Sequence, residues 1–245
     1  MLFEANQFHF KPPALISRAR RVLIKPNANS PYPYPVSTSK ETLSQIVDSI
    51  KQISDADIII LEGTSNGEPI NSIYQALGYD FPRVLMLDVK DCIWVEVENP
   101  LPHPFAVTTF WVPNVVISSD YLISVTPHKV IGGSGIFSIK NLLSLLPVNK
   151  YKGEGQGGWG AFDELGIEKV MADLYFTLPF DLGIIDARQK YTADNDQSPG
   201  NSVEYGKIFA GEPYEIDQEA TRMSGLRAEY LDLIEAGKAE LETWG

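Results

Sequence analysis

Histidine, lysine and asparagine side chains suited to binding or proton transfer are concentrated in residues 121–147. There His128–Lys129 and Lys140–Asn141 stand on either side of a glycine-rich turn. Residues 121–153 contain four lysines and no Asp or Glu, although the whole chain has a formal net charge of -12. Ammonium groups and the accessible backbone N–H groups of glycines both favour an oxyanion. The segment therefore predicts an anion-binding site in which His128 moves a proton.

Two further motifs, IKPNANS and EGTSNGE, supply polar side chains where strands are expected to end. Open α/β sheets bind their ligands outside the carboxyl ends of parallel strands. We therefore expect these side chains to face one crevice and to bind a small phosphorylated or carboxylated metabolite. The predicted ligand-binding residues are Lys25, Asn27, Asn29, Thr64, Lys129, Lys140 and Asn141.

Acidic residues supply a catalytic partner for His128 and the basis of an alternative, metal-dependent hypothesis. Asp186 ends the apolar run DLGIID, so it is expected at the same sheet edge and is paired with His128 as the catalytic residues. In the alternative, Asp186 and Asp217, with Glu62 or His128, hold a divalent metal that bridges to the anion. Helix capping is the structural interpretation of Asp217.

Three other patterns carry no predicted chemistry. Residues 153–158, GEGQGG, satisfy G-x-G-x-x-G but do not follow a strand, so they are interpreted as a flexible loop or lid. Asp194 and Asp196 resemble part of a calcium loop, yet Tyr205 occupies the position of its last glutamate. Cys92 is the one cysteine, which excludes an iron–sulfur cluster ligated by this chain alone, and a buried thiol is expected.

At 245 residues, 44% of them hydrophobic, the chain can form one large domain or two small ones, and the lack of a long linker favours a single α/β domain over residues 1–245. No run reaches the ~18 apolar residues that cross a bilayer. The first 24 residues lack the apolar segment of a secretory signal, so a cytoplasmic location is expected.

The uneven distribution of charge along the chain limits the classes of molecule that it can bind. Outside residues 5–40 and 121–153, the remaining 176 residues hold ten of the 20 Lys and Arg and all 32 Asp and Glu. Such a background repels nucleic acid and anionic membranes, so neither is expected to bind. A small anion needs only a local basic cluster and remains compatible, as does a protein partner.

Apolar periodicity predicts the elements that position these residues. A β-α-β-α-β series at 21–25, 39–53, 57–62, 69–77 and 83–87 indicates a parallel or mixed sheet with helices on both faces. Residues 92–120 are predicted to add β segments, either at the sheet edge or as a small insertion. Later segments are predicted as helices at 137–146, 164–178 and 215–236, the last with a break near Gly225, and as strands at 182–185 and 207–210.

Short motifs recur at intervals along most of the chain. They are IKPN at 24–27, SVTPHK at 124–129, SIKNLL at 138–143, GIIDA at 183–187, PG at 199–200 and EID at 215–217. Together they resemble the family called domain of unknown function 362, over residues 22–226. The resemblance implies that the polar residues of these motifs cluster in space. Those residues are Lys25, Asn27, Lys140, Asn141, Asp186 and Asp217.

Many relatives in that family carry cysteine-rich, ferredoxin-like segments and are linked to iron–sulfur redox roles. This chain resembles a short form that lacks those segments. The resemblance therefore leaves open a third hypothesis, a non-catalytic accessory protein related to iron–sulfur redox proteins.

Overall fold

Strands and helices alternate along the first half of the chain, as predicted. The computed structural model describes residues 1–153, 158–178, 180–195 and 200–244. The strands are β1 Leu2–Glu4, β2 Arg21–Lys25, β3 Asp57–Glu62, β4 Val84–Asp88, β5 Trp94–Glu98, β6 Thr109–Pro113, β7 Tyr121–Ile131, β8 Ser134–Ile136, β9 Leu182–Ala193 and β10 Asn201–Gly211. The α-helices are α1 Lys40–Ile53, α2 Asn71–Ala76, α3 Asn114–Ile117, α4 Ala161–Leu165, α5 Ile167–Thr177, α6 Pro213–Met223 and α7 Glu229–Trp244.

One mixed sheet includes most of these strands, in the order β1-β10-β9-β7-β2-β3-β4, with β8 paired to β7. Strands β9, β7, β2, β3 and β4 are parallel neighbours, whereas β10, β1 and β8 pair in antiparallel fashion. Strands β5 and β6 form a separate antiparallel pair. The predicted α/β fold, with a mixed sheet and extra β segments in the middle, is confirmed.

Helices cover both faces of the sheet because its central strands are apolar on both. In β3, Ile58 and Ile60 pack in the core that includes α1, while Ile59 and Leu61 pack in the core that includes α5 and α7. Successive strand side chains point to opposite faces. An uninterrupted apolar run such as DIIILE therefore requires cover on both sides.

Helix α1 begins one residue later than predicted. Ser39 is its N-cap and accepts a hydrogen bond from Thr42 N at 3.4 Å. The hydroxyls of the two preceding residues, Ser37 and Thr38, donate to backbone carbonyl groups. The residues that α1 buries against the sheet are Thr42, Leu43, Ile46, Val47 and Ile50.

The second half departs from the predicted elements where apolar periodicity is weak. The predicted helix at 137–146 is a 3-10 helix limited to Lys140–Leu145. The predicted strands at 182–185 and 207–210 extend to the full lengths of β9 and β10. Their added residues are mostly polar and partly exposed, so hydrophobic alternation does not reveal them.

Glycines with positive φ divide both predicted C-terminal helices. Gly166, at φ 85°, separates α4 from α5, and Gly225, at φ 65°, lies between α6 and α7. Glycine adopts this backbone region at low cost because it lacks a Cβ. The break near Gly225 is the one predicted from the sequence. Across the described part of the chain, no helix combines the length and apolar character needed to cross a membrane.

Candidate functional site

The segment that joins β2 to α1, residues 26–39, crosses the carboxyl ends of the central strands, and we call it the strap. Thr38 N donates to Asn27 O at 2.8 Å, and Thr38 Oγ1 donates to Val125 O of β7 at 2.8 Å. Farther out, Tyr34 OH accepts from Gln189 N of β9 at 2.7 Å. The strap is therefore fixed to two strands of the sheet.

At the strap, buried polar side chains from five parts of the chain are joined by hydrogen bonds. They come from β2, β3, β7, the strap and the 3-10 helix, and each is at most 8% exposed. We call them the polar cluster. Its members are Lys25, Asn27, Glu62, Lys129, Asn141 and Ser144.

Lys25 is the centre of the polar cluster. Its Nζ lies 2.8 Å from Glu62 Oε1 and donates to Glu62 Oε2 at 2.9 Å, to Pro26 O at 2.6 Å and to Asn141 Oδ1 at 3.2 Å. Burial lowers the pKa of Lys25 from its ordinary value, and the Glu62 carboxylate opposes that shift. An ammonium has three protons to donate, so these acceptors use its full capacity.

Glu62 was named in the sequence analysis only as an alternative metal ligand, and neither its pairing with Lys25 nor the part played by Ser144 was predicted. Besides Lys25, its carboxylate accepts from Ala28 N at 2.7 Å, from Gly63 N at 3.0 Å and from Ser144 Oγ at 2.5 Å. It thereby connects β3 to β2, to the strap and to the 3-10 helix. A carboxylate with this many donors is held in one orientation.

Two asparagines and a second lysine complete the polar cluster. Asn141 Oδ1 accepts from Asn27 Nδ2 at 3.1 Å, and Asn141 Nδ2 donates to Ser124 Oγ at 3.1 Å. Lys129 Nζ donates to Asn27 Oδ1 at 3.0 Å and to Val36 O of the strap at 3.3 Å. The structure thus brings four of the predicted ligand-binding residues together: Lys25, Asn27, Lys129 and Asn141.

A narrow crevice adjoins the polar cluster at the carboxyl ends of β3 and β4. Its interior of about 10 Å³ has room for one water molecule. Gly63 separates the crevice from the cluster, and a Cβ there would lie 2.7 Å from Ser144 O, so only glycine fits. Thr64, a predicted ligand residue, lines the crevice and donates to Glu68 O at 2.6 Å. The other lining residues are Gly67, Asp88, Val89, Lys90, Trp94, Leu146, Pro147, Val148 and Asn149.

Lys140 and Asn29 lie outside the polar cluster. Lys140 Nζ forms an ion pair with Glu168 of α5 and donates to Ser134 Oγ at 2.7 Å. It also lies 5.2 Å from the centre of the Tyr230 ring. Asn29 is exposed on the strap. The sequence analysis expected both among the ligand-binding residues, and the structure does not place them with the others.

His128 occupies the opposite face of the sheet from Lys129, because neighbouring strand residues alternate. Its Nε2 lies 2.8 Å from Ser224 Oγ, and its ring packs 5.0 Å from that of Phe137. Burial, aided by the charge of Lys190, lowers the pKa of His128 to about 4. The imidazole is therefore neutral at neutral pH.

Asp186 lies within β9 rather than at its end, on the face covered by α1. Its carboxylate accepts from Thr42 Oγ1 at 2.7 Å and from Arg188, whose Nη2 and Nε donate at 2.7 and 3.0 Å. His128 faces the other side of the sheet, so the predicted catalytic pair is not assembled. Asp186 instead holds α1 against β9.

Asp217 is the fifth residue of α6, and Glu212 is the residue that caps this helix. The Asp217 carboxylate accepts from Ser138 N at 2.9 Å, Ser138 Oγ at 2.6 Å, Ile139 N at 3.0 Å and Tyr230 OH at 2.9 Å. Burial raises the pKa of Asp217 to about 6, and these hydrogen bonds oppose the shift.

Asp186 and Asp217 therefore have separate sets of partners on opposite faces of the sheet. The structure does not bring them together as the predicted metal pair. Within the described ranges, no group of three or more His, Cys, Asp or Glu residues is arranged to hold a metal ion.

The glycine-rich turn after Lys129 is the turn of a β-hairpin. Gly132 and Gly133, at φ 55° and 79°, connect β7 to β8, and Gly135 lies in β8 against the Phe137 ring. Positive φ at both turn residues suits the twist of a two-residue hairpin loop. The hairpin turn by itself accounts for the positive φ of Gly132 and Gly133, and anion binding by this loop stays a prediction.

Several of the remaining sequence patterns lie partly outside the described residues. Residues 154–157 of GEGQGG, together with Asp196 and Pro199, lie outside the described residues. Cys92 is half-buried rather than fully buried and its Sγ donates to Asp88 O at 3.3 Å. Burial raises the pKa of this thiol to about 11, so it is a protonated, unreactive thiol at neutral pH.

Comparison with solved structures supports the fold. The structure of the lactate racemase apoprotein from Thermoanaerobacterium thermosaccharolyticum is similar, with a TM-score of 0.54 and 13% sequence identity. The similarity covers 89% of this chain and 53% of that one, so this chain spans about half of that protein's length. At this identity the likeness concerns the fold alone.

Comparison at the level of sequence identifies the family. No curated protein shows a significant match to the chain. The family described as Domain of unknown function (DUF362) matches residues 22–222, which is most of the chain and close to the span of the recognised motifs. The chain therefore belongs to the DUF362 family.

Proposed function

We propose that this chain is a cytoplasmic, enzyme-like small-molecule binder whose ligand is a small phosphorylated or carboxylated metabolite. The ligand would bind where the polar cluster meets the strap. The observation that supports this proposal is the convergence of Lys25, Asn27, Lys129 and Asn141 at one sheet edge.

The energetics of the polar cluster favour a functional role. Two ammonium groups, a carboxylate and two amides are buried together, and apolar side chains of similar volume would be as stable or more stable there. Buried titratable groups with shifted pKa values are concentrated at functional sites. The carboxyl edge of parallel strands is also where α/β sheets bind ligands.

Within the polar cluster, Lys129 is the group suited to meet the anion. It donates to the neutral Val36 carbonyl of the strap. A phosphate or carboxylate oxygen in place of that carbonyl would add the attraction of opposite charges to a hydrogen bond whose donor is already charged. Asn27 would orient the ligand, while Lys25 remains paired with Glu62 and fixes the geometry.

The choice of test ligands follows from the comparison. The similar solved structure is that of a lactate racemase, so lactate represents small carboxylates. Inorganic phosphate represents phosphorylated compounds, and sulfate is an anion whose charge is constant near neutral pH.

Titration calorimetry with lactate, phosphate and sulfate tests the proposal on the wild type and on Lys129→Met. We expect at least one anion to bind the wild type, and the variant to lose about tenfold or more in affinity, since a hydrogen bond to a charged group contributes roughly 1.5–3 kcal/mol. Lys207→Met is the matched control because Lys207 pairs with Glu4 at the sheet edge, away from the polar cluster.

Binding that is equally strong in the wild type and Lys129→Met would contradict the proposed site. Failure of all three anions to bind the wild type would contradict the proposed ligand class. Circular dichroism of each variant establishes that it is folded before its affinity is compared.

A further inference from the structure

Asp217 lies outside the polar cluster but holds the backbone that leads into it. Its carboxylate accepts from both backbone N–H groups at the turn that begins the 3-10 helix, those of Ser138 and Ile139. The side chain of Ser138 donates to the same carboxylate, and Tyr230 OH donates from α7. Asp217 is fully buried, so its partners are the protein groups that surround it.

The turn held by Asp217 determines where Asn141 lies. Asn141 follows Ile139 by two residues in the 3-10 helix and reaches Lys25 and Asn27 with its amide oxygen. Ser138 O also accepts from Ser124 Oγ at 2.8 Å, and that same hydroxyl accepts from Asn141 Nδ2. Contacts therefore run without interruption from Asp217 to the polar cluster.

We propose that Asp217 is a positioning residue, which fixes the Asn141 side chain in the polar cluster by holding the turn at Ser138 and Ile139. Its role in ligand affinity rests on the proposed function, whereas its hold on Asn141 does not. The carboxylate acts through the backbone and does not itself touch the ligand.

The protonation state of Asp217 controls this hold. All of the groups that contact its oxygens donate to the carboxylate, so protonation of Asp217 requires one of the two hydroxyls, that of Ser138 or Tyr230, to turn and accept the added proton, which breaks the hydrogen bond it donated. The pKa of Asp217 is raised to about 6 by burial, so the loss falls between neutral and mildly acidic pH.

The charged and titratable groups around Asp217 come from several elements. Tyr230 of α7 contacts it directly, and Lys140 of the 3-10 helix lies over the Tyr230 ring. Glu168 of α5 pairs with Lys140 and accepts from Tyr230 N at 3.0 Å. On β7, His128 contacts the C-terminal end of α6 at Ser224, and its pKa of about 4 places its titration below that of Asp217.

Nuclear magnetic resonance of the Asn141 side-chain amide tests the proposal without any ligand. Asn141→Ala identifies the amide signals, which are then followed from pH 7.5 to pH 5. We expect them to shift in the wild type with a midpoint near 6. The shift should be absent in Asp217→Asn. In Tyr230→Phe the midpoint should move upward, because one donor that favours the charged carboxylate is lost.

Asp173→Asn is the matched control. Asp173 is also a fully buried carboxylate, and it accepts from Asn99 Nδ2, Phe105 N, Ala106 N and Val107 N, none of which belongs to the polar cluster. The Asn141 signals should titrate in this variant as in the wild type. If Asp217→Asn does not fold, Tyr230→Phe, which keeps the buried ring, decides the test.

Asn141 signals that do not move in the wild type, or that titrate identically in Asp217→Asn, would overturn the proposal.

A second experiment measures sulfate affinity at pH 7.5 and pH 5. A loss of about tenfold, the size of one charged hydrogen bond, is expected at the lower pH. If Asn141 titrates as described but sulfate does not bind at either pH, the positioning role stands and the proposed function fails for that anion.

Discussion

At the scale of single residues, the sequence identifies charged groups more readily than their partners. Lys25 and Glu62 each end an apolar run, RVLIK and DIIILE, and parallel pairing of those runs places opposite charges at the same sheet edge. That signal was present in the sequence, because an acid and a base at the ends of adjacent parallel strands must either pair or stay solvated. Lys25 and Asn27 were predicted from their position at a strand end, whereas Lys129 and Asn141 were predicted because they flank the glycine-rich turn.

Local geometry explains why the other predicted residues lie outside the polar cluster. His128 and Lys129 were expected side by side, but adjacent residues of a strand point to opposite faces. Lys140 and Asn141 diverge in the same way within a tight 3-10 turn, so that one pairs with Glu168 and the other enters the polar cluster. A shift of one residue therefore decides which of two neighbours belongs to a site.

The Lys25–Glu62 pair gives a prediction about stability. Lys25→Met should destabilise the protein by about 3–5 kcal/mol, because it leaves the fully buried Glu62 carboxylate without its cation. Lys25→Met combined with Glu62→Gln should recover part of that loss, since no uncompensated charge remains. Urea unfolding at pH 7 measures both variants. A double variant less stable than the single one would show that charge compensation is not what stabilises the pair.

At the scale of elements, strands buried on both faces were predictable and partly exposed strands were not. The apolar runs of β2 and β3 make the positions of these strands predictable, and they require helices on both faces of the sheet. The outer parts of β9 and β10 are polar, and they are held by pairing with each other and with β7. Such pairing joins residues distant in sequence, so it leaves no local pattern.

The strap is the element whose attachment controls access to the polar cluster. Tyr34→Phe removes the hydroxyl that accepts from Gln189 N and leaves that donor without its partner. We expect a loss of about 1 kcal/mol in stability and faster hydrogen exchange at the Thr38 amide, which donates to Asn27 O within the strap. Tyr151→Phe is the control, because it also removes a hydroxyl that accepts from a backbone N–H, that of Trp111 in β6.

Exchange at the Thr38 amide that is unchanged in Tyr34→Phe, or accelerated equally in Tyr151→Phe, would show that the attachment of the strap does not control access to the polar cluster. The comparison uses amides within β3 as an internal reference, since their protection depends on global unfolding rather than on the strap.

At the scale of the whole molecule, two buried groups on the α6 side of the sheet oppose each other as the pH falls. The pKa of His128 is lowered to about 4, so the unfolded chain binds more protons there between about 4 and 6.5, and acidification reduces stability. The pKa of Asp217 is raised to about 6, so the folded protein binds more protons there between about 3.8 and 6, and acidification increases stability. The two contributions largely cancel in the wild type over this range.

Removal of His128 should expose the contribution of Asp217. His128→Gln loses the acid-destabilising group, so its free energy of unfolding relative to wild type should rise by about 2 kcal/mol between pH 7.5 and pH 4.5. Asp217→Asn should change in the opposite direction by a similar amount. His9→Gln, which replaces an exposed histidine, serves as the control. Urea unfolding at the two pH values measures each difference, and parallel pH profiles for His128→Gln and wild type would mean that this imidazole is protonated to the same extent in the folded and unfolded chains.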